Sequence, residues 1–297
     1  MNIVSYNIQF GRGLDYRVDL KRICQSIDQA DIICLQEVDV GWQRSGGVDQ
    51  VKAIAEILPH YYVVFGSSFN VDGSVKNTDG TITNRRRQHG DMILSRWPIV
   101  SSRTFNLPKT HHDDKFNMQM SFVEAVIQTE TRAIRVYNFH AGYLKVEERL
   151  AQVEHLARVY GKSPEQFGAW SGKGDIDGDD WSNSLINKAV TPLMPSSAIV
   201  CGDFNCTIGS DEYTYLLDHT DLVDCWQVAD VANINQSTLK NEMTGDIQIS
   251  GKIDHIFVSA DLAGDIHQVE IDTQADGSDH RPVRCWLKMN LSVNEIL

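Results

Sequence analysis

Ala198-Ile199-Val200-Cys201-Gly202-Asp203-Phe204-Asn205 is the stretch that decides how this chain reads. Its first four residues are apolar and suit a buried strand. Gly202 then permits a tight turn, and Asp203 and Asn205 leave it two residues apart, aimed the same way. Taken alone, Asp-x-Asn after a glycine is more often an Asx turn than a site. The pattern recurs, however. Ile3-Val4-Ser5-Tyr6 runs out on Asn7, Ile32-Ile33-Cys34-Leu35 on Gln36-Glu37, and Ile134 to Phe139 on His140, while Asp279-His280 stands at the start of the strand from Arg281 to Leu287. Polar residues placed repeatedly at strand ends predict a pocket along one edge of the fold.

Around these strands, apolar positions recur at helical spacing from Arg17 to Asp28, from Val51 to Leu58 ahead of Pro59, and from Glu147 to Tyr160. Residues 61–65, 92–94, 122–127 and 253–258 read as further strands, and residues 66–88 as a long polar stretch carrying Arg85, Arg86 and Arg87. Strands outnumber helices, and helices fall between strands in both halves. The expected architecture is a four-layer α/β sandwich, with two packed, mainly antiparallel sheets flanked by helices. One domain over residues 1–297 is expected, with a Gly-, Ser- and Asp-rich surface insertion around 161–190.

Composition narrows the function classes. With 42% hydrophobic and 23% charged residues, the chain can bury a sizeable core. A net charge of -13 disfavours non-specific duplex binding. Phosphate chemistry stays open to carboxylates that hold a metal. The six cysteines lack the paired spacing of zinc modules and read as buried free thiols. No apolar run reaches about eighteen residues and no basic-then-apolar leader opens the chain, so the expectation is a cytoplasmic protein without a membrane partner.

Two further segments carry chemistry. Ser278-Asp279-His280 sets a carboxylate beside an imidazole, the pairing needed for metal coordination with proton transfer. Ile253-Asp254-His255-Ile256-Phe257 places an aspartate in a strand otherwise fit for burial, where it needs a cation or an imidazole unless it faces water at a sheet edge. Glu37, ending an apolar strand, suits a hard cation such as Mg²⁺, which prefers a few oxygen ligands plus water.

Taken in order, Ser5-Tyr6-Asn7, Leu35-Gln36-Glu37, Asn138-Phe139-His140, Gly202-Asp203-Phe204-Asn205, Ile253-Asp254-His255 and Ser278-Asp279-His280 resemble the endonuclease/exonuclease/phosphatase (DNase I-like) superfamily. Gly90-Asp91-Met92-Ile93-Leu94-Ser95-Arg96-Trp97-Pro98 is similar to its GNAILSR-x-P strand, with Asp91 where Asn is common. His140 through Arg149 and Gln152 resembles a stretch of its small bacterial hydrolases. The resemblance implies Mg²⁺, with Mn²⁺ as a substitute, held by Glu37 with Asn7 and Asp279. It implies that Asp203 and Asn205 position and activate water or bind a second metal, that Asp254 orients His280, and that His140 is the acid for the leaving oxygen. His280 is left as either a general base or a fixed cation. Gln9 stands where many nucleases of the family carry an acid.

Arg85, Arg86 and Arg87 are candidate phosphate contacts, set against an ordinary solvated loop. Trp170 and Trp181 could stack on a base or pin the insertion to the core. The alternating acids of 172–180 lack the glutamate that completes an EF-hand loop. The leading expectation is thus a metal-dependent phosphodiesterase or phosphatase acting on a phosphate ester. The alternatives are a DNA or RNA nuclease, with nucleic acid as partner, and a catalytically silent binding module.

Overall fold

The computed structural model describes residues 1–166, 194–232, 236–240 and 251–288. The strands in chain order are β1 (Asn2–Asn7), β2 (Ile32–Val40), β3 (Tyr62–Asp72), β4 (Val75–Lys76), β5 (Ile82–Thr83), β6 (Arg86–Ser95), β7 (Ile99–Asn106), β8 (Ser121–Gln128), β9 (Ala133–His140), β10 (Ala198–Asp203), β11 (Leu222–Asp224), β12 (Asp230–Ala232), β13 (Asp254–Ser259), β14 (Ile266–Ile271) and β15 (Val283–Leu287). They form a seven-stranded sheet in the order β12-β14-β15-β1-β2-β6-β3 and a six-stranded sheet in the order β11-β13-β10-β9-β8-β7, with β4 and β5 pairing apart. Most pairs are antiparallel; β1 with β2, β9 with β10 and β12 with β14 are parallel.

The strands are apolar on both faces because both faces are covered. Ile3, Ile32, Cys34 and Ile93 of the first sheet meet Val123, Val136, Ile199 and Cys201 of the second in the layer between the sheets. The alternate residues Val4, Ile33 and Leu35 pack outward under α1 (Leu20–Gln25) and α2 (Gln50–Ile57), through Ile23, Cys24 and Ile54. On the far side Tyr137, Phe139 and Val200 lie under α3 (Val146–Gln166) and α4 (Asp211–Asp218), against Val153, Leu156 and Leu216. Each such buried side chain contributes about 1.5–3 kcal/mol. The four-layer α/β sandwich expected from the sequence is the observed one.

Several local expectations change. The helix expected over 17–28 is confined to Leu20–Gln25, because the Asp19 carboxylate accepts from the amides of Lys21 and Arg22 and so caps its start. Residues 161–166, assigned to the insertion, continue α3, with Ser163 buried against the second sheet. The rest of that insertion, with Trp170, Trp181 and the acids of 172–180, lies outside the described residues. The polar stretch 66–88 is largely strand. β3 runs to Asp72 and pairs with β6 from Arg86 onward, a ribbon whose polar residues are paired rather than buried. All six cysteines are free and buried. No described helix is long and apolar enough to cross a membrane.

Candidate active site

Asp203, on the last rung of β10, stands in register with His140 at the end of β9 and with Asp254 at the start of β13. Three chemically capable side chains are thereby set abreast at one edge of the second sheet. Gly202 makes this possible: with φ at 147°, it lies so close to β9 that a Cβ there would overlap the Phe139 carbonyl. Across the sandwich, Asn7 closes the gap between sheets. Its Nδ2 donates to Asp203 Oδ2 (3.0 Å) and to Glu37 Oε1 (3.1 Å). Its own backbone carbonyl accepts from the buried Ser278 hydroxyl at 2.7 Å, which ties the loop bearing Asp279 and His280 to β1.

Glu37 reaches this cluster through an irregularity in β2. The β2–β6 register shifts between Leu35 and Val38, and Glu37 adopts a φ of 61°. A bulge of this kind re-aims a side chain at the cost of ladder hydrogen bonds. The second sheet supplies the missing donors: Asn138 Nδ2 donates to the Leu35 carbonyl (2.9 Å) and the Met92 carbonyl (3.0 Å). Gln36 Nε2 donates back to Asn138 Oδ1 at 2.6 Å. Gln36 and Asn138 are both fully buried and bolt the two sheets together beneath Glu37.

The charges in the cleft are strongly interdependent. His280 Nδ1 lies 2.9 Å from Asp254 Oδ2, and its Nε2 is 3.7 Å from Asp203 Oδ2. Burial alone would lower its pKa, but the two carboxylates outweigh burial and raise it to about 10. His140 Nε2 approaches the same Asp203 oxygen, also at 3.7 Å. Burial, reinforced by His89 and His280, lowers His140 to about 3. Burial pushes Asp203 up to about 7 against the pull of His280. It holds Asp91 well above the usual carboxylate range, with Glu37 and Asp203 adding to the rise. Asp91 Oδ1 sits 3.8 Å from His140 Nδ1, and its Oδ2 accepts from Ser121 at 3.2 Å.

At the mouth, Asp279 is half-buried, and its Oδ2 accepts from Gln9 Nε2 at 2.6 Å. Its pKa is raised by burial, with Glu37 adding to the rise. Glu37 and Asp279 bring the carboxylate oxygens that a hard divalent cation takes, while Asn7 turns its NH₂ to Glu37 and Asp203 and its Oδ1 to the Gln9 amide. Asp203, Asp254 and His280 also offer ligand atoms within 4.8 Å of one another. Asn205, at φ 49°, donates its amide NH to Asp203 Oδ1 (2.9 Å) and its side-chain NH₂ to the Ala141 carbonyl (2.9 Å), so it braces the loop after His140.

Eight of the eleven expected residues thus gather in one cleft: Asn7, Glu37, His140, Asp203, Asn205, Asp254, Asp279 and His280. The three arginines divide. Arg86 is committed to Asn70, with Nε to Oδ1 at 2.7 Å. Arg87 lies over the Trp42 ring at 5.9 Å, and Arg85 makes no side-chain hydrogen bond or ion pair among the described residues. Asp39, Arg44 and His89 carried no expectation. Arg44 forms two hydrogen bonds of 2.9 Å to Asp39, whose Oδ1 also lies 2.8 Å from His89 Nδ1. Alternation could have found them, since Asp39 follows Glu37 by two and His89 precedes Asp91 by two. Arg149 and Gln152 are scaffold: Arg149 Nε donates to Glu212 (2.8 Å), and Gln152 accepts from the Gly142 amide (2.7 Å) behind His140.

The endonuclease/exonuclease/phosphatase family model matches residues 4–280. Solved structures of similar fold include an endonuclease/exonuclease/phosphatase from Beutenbergia cavernae (16% identity, TM-score 0.65, covering 97% of this chain and 71% of that one). A mannosyl-6-phosphatase from Bacteroides thetaiotaomicron is 18% identical, with a TM-score of 0.63 over 97% of this chain and 100% of its own. TDP2 from D. rerio, complexed with single strand DNA product, is 15% identical, with a TM-score of 0.60 over 97% and 99%. No curated protein sequence matches the chain. The family match over nearly the whole length, on the fold and cleft described above, establishes that the chain belongs to the endonuclease/exonuclease/phosphatase family.

Proposed function

We propose that this protein is a Mg²⁺-dependent phosphoester hydrolase, a phosphodiesterase or phosphatase that accepts Mn²⁺ as a substitute, and that it works as one domain in a reducing compartment such as the cytoplasm. Members of its family are hydrolases of phosphoester bonds. The observation that carries the reading is Asp203 Oδ2, flanked by two imidazole Nε2 atoms at 3.7 Å, one of them anchored by Asp254 at 2.9 Å. These spacings exceed direct hydrogen bonds, so the three groups can converge on one oxygen that sits beside the lines joining them.

Glu37 and Asp279 would hold the cation, and Asn7 would join them by turning its amide so that Oδ1 replaces the NH₂ now facing Glu37. When bound, the cation neutralises charge growing on the phosphoryl oxygens. Asp203, fixed by Asn7 and by the Asn205 amide, orients the attacking water and takes its proton once ionised. His280 is held protonated by Asp254, which favours its role as a fixed cation beside the phosphate over that of a general base. The low His140 pKa favours a neutral hydrogen-bond donor near the leaving oxygen over the acid that the resemblance implies.

The test is hydrolysis of bis(p-nitrophenyl) phosphate with Mg²⁺ by Asp203→Asn and His280→Ala, with folding checked by circular dichroism. Each variant is expected to lose roughly 10²–10⁴-fold in kcat. Near wild-type turnover by either folded variant overturns the mechanism.

A further inference from the structure

Next to the cleft, arginines and aromatic rings alternate. Arg12 lies over Phe10 (5.0 Å), Arg44 over the same Phe10 ring (4.4 Å) and over Trp42 (5.5 Å), and Arg87 over Trp42 (5.9 Å). Tyr16, 81% exposed, adds a second ring under Arg12 at 5.7 Å. The row begins where the cleft ends. Phe10 follows Gln9, which hydrogen-bonds Asp279, and Arg44 holds Asp39, two residues beyond Glu37 on β2.

The members of this row are not equivalent. Arg44 is neutralised by its paired hydrogen bonds to Asp39, and it serves as the fixed centre on which both rings sit. Among the described residues, the guanidinium group of Arg12 has no acidic or carbonyl partner, and that of Arg87 feels only the charge of the exposed Asp72, without a hydrogen bond or ion pair, in a chain whose net charge is -13. Arg86, the neighbour of Arg87, points to the other face and is tied to Asn70. A ring beneath a guanidinium fixes its plane and leaves its N–H edge free, so less side-chain entropy is lost when it grips an oxyanion. The positive φ of Gln9 (44°) and Phe10 (45°) holds the Arg12 end of the row in a set turn.

We infer that Arg12 and Arg87, seated on Phe10, Tyr16 and Trp42, bind a second phosphate of the substrate, beyond the one that is cleaved. The inference rests on the phosphoesterase reading and adds the substrate class: an ester with a further phosphate, whether the next link of a nucleic-acid strand or the second group of a sugar bisphosphate. Each of these guanidinium groups is oriented by a ring and makes no hydrogen bond of its own, so its N–H edge can take anionic oxygens.

The test compares thymidine 5′-(p-nitrophenyl phosphate) with the same compound carrying a 3′-phosphate, in wild type, Arg12→Gln, Arg87→Gln and the double variant. Wild type is expected to prefer the 3′-phosphorylated compound in kcat/KM. That preference ratio should fall about tenfold for each arginine removed, with the salt dependence of the preference falling in step. A ratio unchanged by the double variant overturns the inference while leaving the phosphoesterase reading intact. Failure of wild type to cleave either compound overturns both. With the ratio effect in hand, tetrathymidylate and a hexose bisphosphate as competing substrates separate the sources: preference for the first assigns the second phosphate to a nucleic-acid strand, preference for the second to a small metabolite.

Discussion

Replacing Asn138 by alanine removes the bolt between the sheets without touching any group in the cleft. Its Nδ2 serves the Leu35 and Met92 carbonyls at 2.9 and 3.0 Å, and its Oδ1 accepts from Gln36 at 2.6 Å. Gln36 keeps other acceptors in the Ser5 hydroxyl (3.3 Å) and the Cys34 carbonyl (3.2 Å), so it loses least. The two carbonyls flank the β2 bulge, and water cannot reach them in the fully buried layer. At about 1–3 kcal/mol for each buried group left unpaired, the loss comes to roughly 2–6 kcal/mol. That is a large share of a total stability of about 5–15 kcal/mol. Gln36→Met, which also removes an Oε1 that is already unpartnered, should cost less. Urea unfolding followed by circular dichroism, without divalent cation, measures both. Because the bulge aims Glu37, the Mg²⁺ concentration for half-maximal activity should also rise in Asn138→Ala. A loss below about 1 kcal/mol at unchanged m-value refutes the claim that Asn138 substitutes for the bulge's missing ladder bonds.

Three further outcomes follow from the same geometry. Asp91 is protonated in the fold at pH values where it ionises in the unfolded chain, so it costs stability above its unfolded pKa. Asp91→Asn should therefore raise the metal-free melting temperature more at pH 8 than at pH 5, and equal shifts at both would contradict this. The profile of kcat/KM against pH should rise through about 7 as Asp203 ionises and fall near 10 as His280 loses its proton. Asp254→Asn, by removing the stronger of the two attractions on His280, should move the alkaline limb to lower pH, and an unmoved limb argues against that pairing. If Glu37 holds Mg²⁺ as proposed, Glu37→Gly should abolish the thermal stabilisation expected of the cation in wild type, roughly 2.7 kcal/mol at a hundredfold excess over Kd. Without metal it should melt higher than Glu37→Ala, since only glycine adopts a φ of 61° without strain.

The strand ends were legible because a buried strand has no other reason to stop on a carboxylate, an amide or an imidazole, and this signal is local. Asn7, Glu37, His140 and Asp203 came from it alone, and the family resemblance bound them into one site. What the sequence did not show is carried by register. Gln36 and Asn138 lay inside the quoted motifs with no role, because their bond joins residues 102 positions apart across two sheets. Asp39, Arg44 and His89 were passed over for a different reason. The segment 66–88 was read as loop, so the alternation that sends Arg87, His89 and Asp91 to one face of β6, and Arg86 to the other, had no strand to act on. Polar ribbons held by pairing alone give no hydrophobic period.

Backbone strain marks the same boundary. Five non-glycine residues among those described have positive φ: Gln9, Phe10, Tyr16, Glu37 and Asn205. Gln9, Phe10 and Asn205 sit just past strand ends and Glu37 at the β2 bulge, all around the cleft. Each such conformation costs on the order of 1 kcal/mol or more and persists only where its surroundings over-determine it. The surroundings here are the site's own side chains: Asn7 Oδ1 accepts from the Gln9 amide at 3.0 Å, and Asp203 Oδ1 from the Asn205 amide at 2.9 Å. Asn7 and Asp203 are in turn bonded to each other at 3.0 Å. One contact across the sandwich thus holds two strained turns, one leading into the arginine row and the other bracing the His140 loop. A ligand that drew Asp203 away from Asn7 would therefore loosen the support of both turns, since each is held through the same Asn7–Asp203 bond.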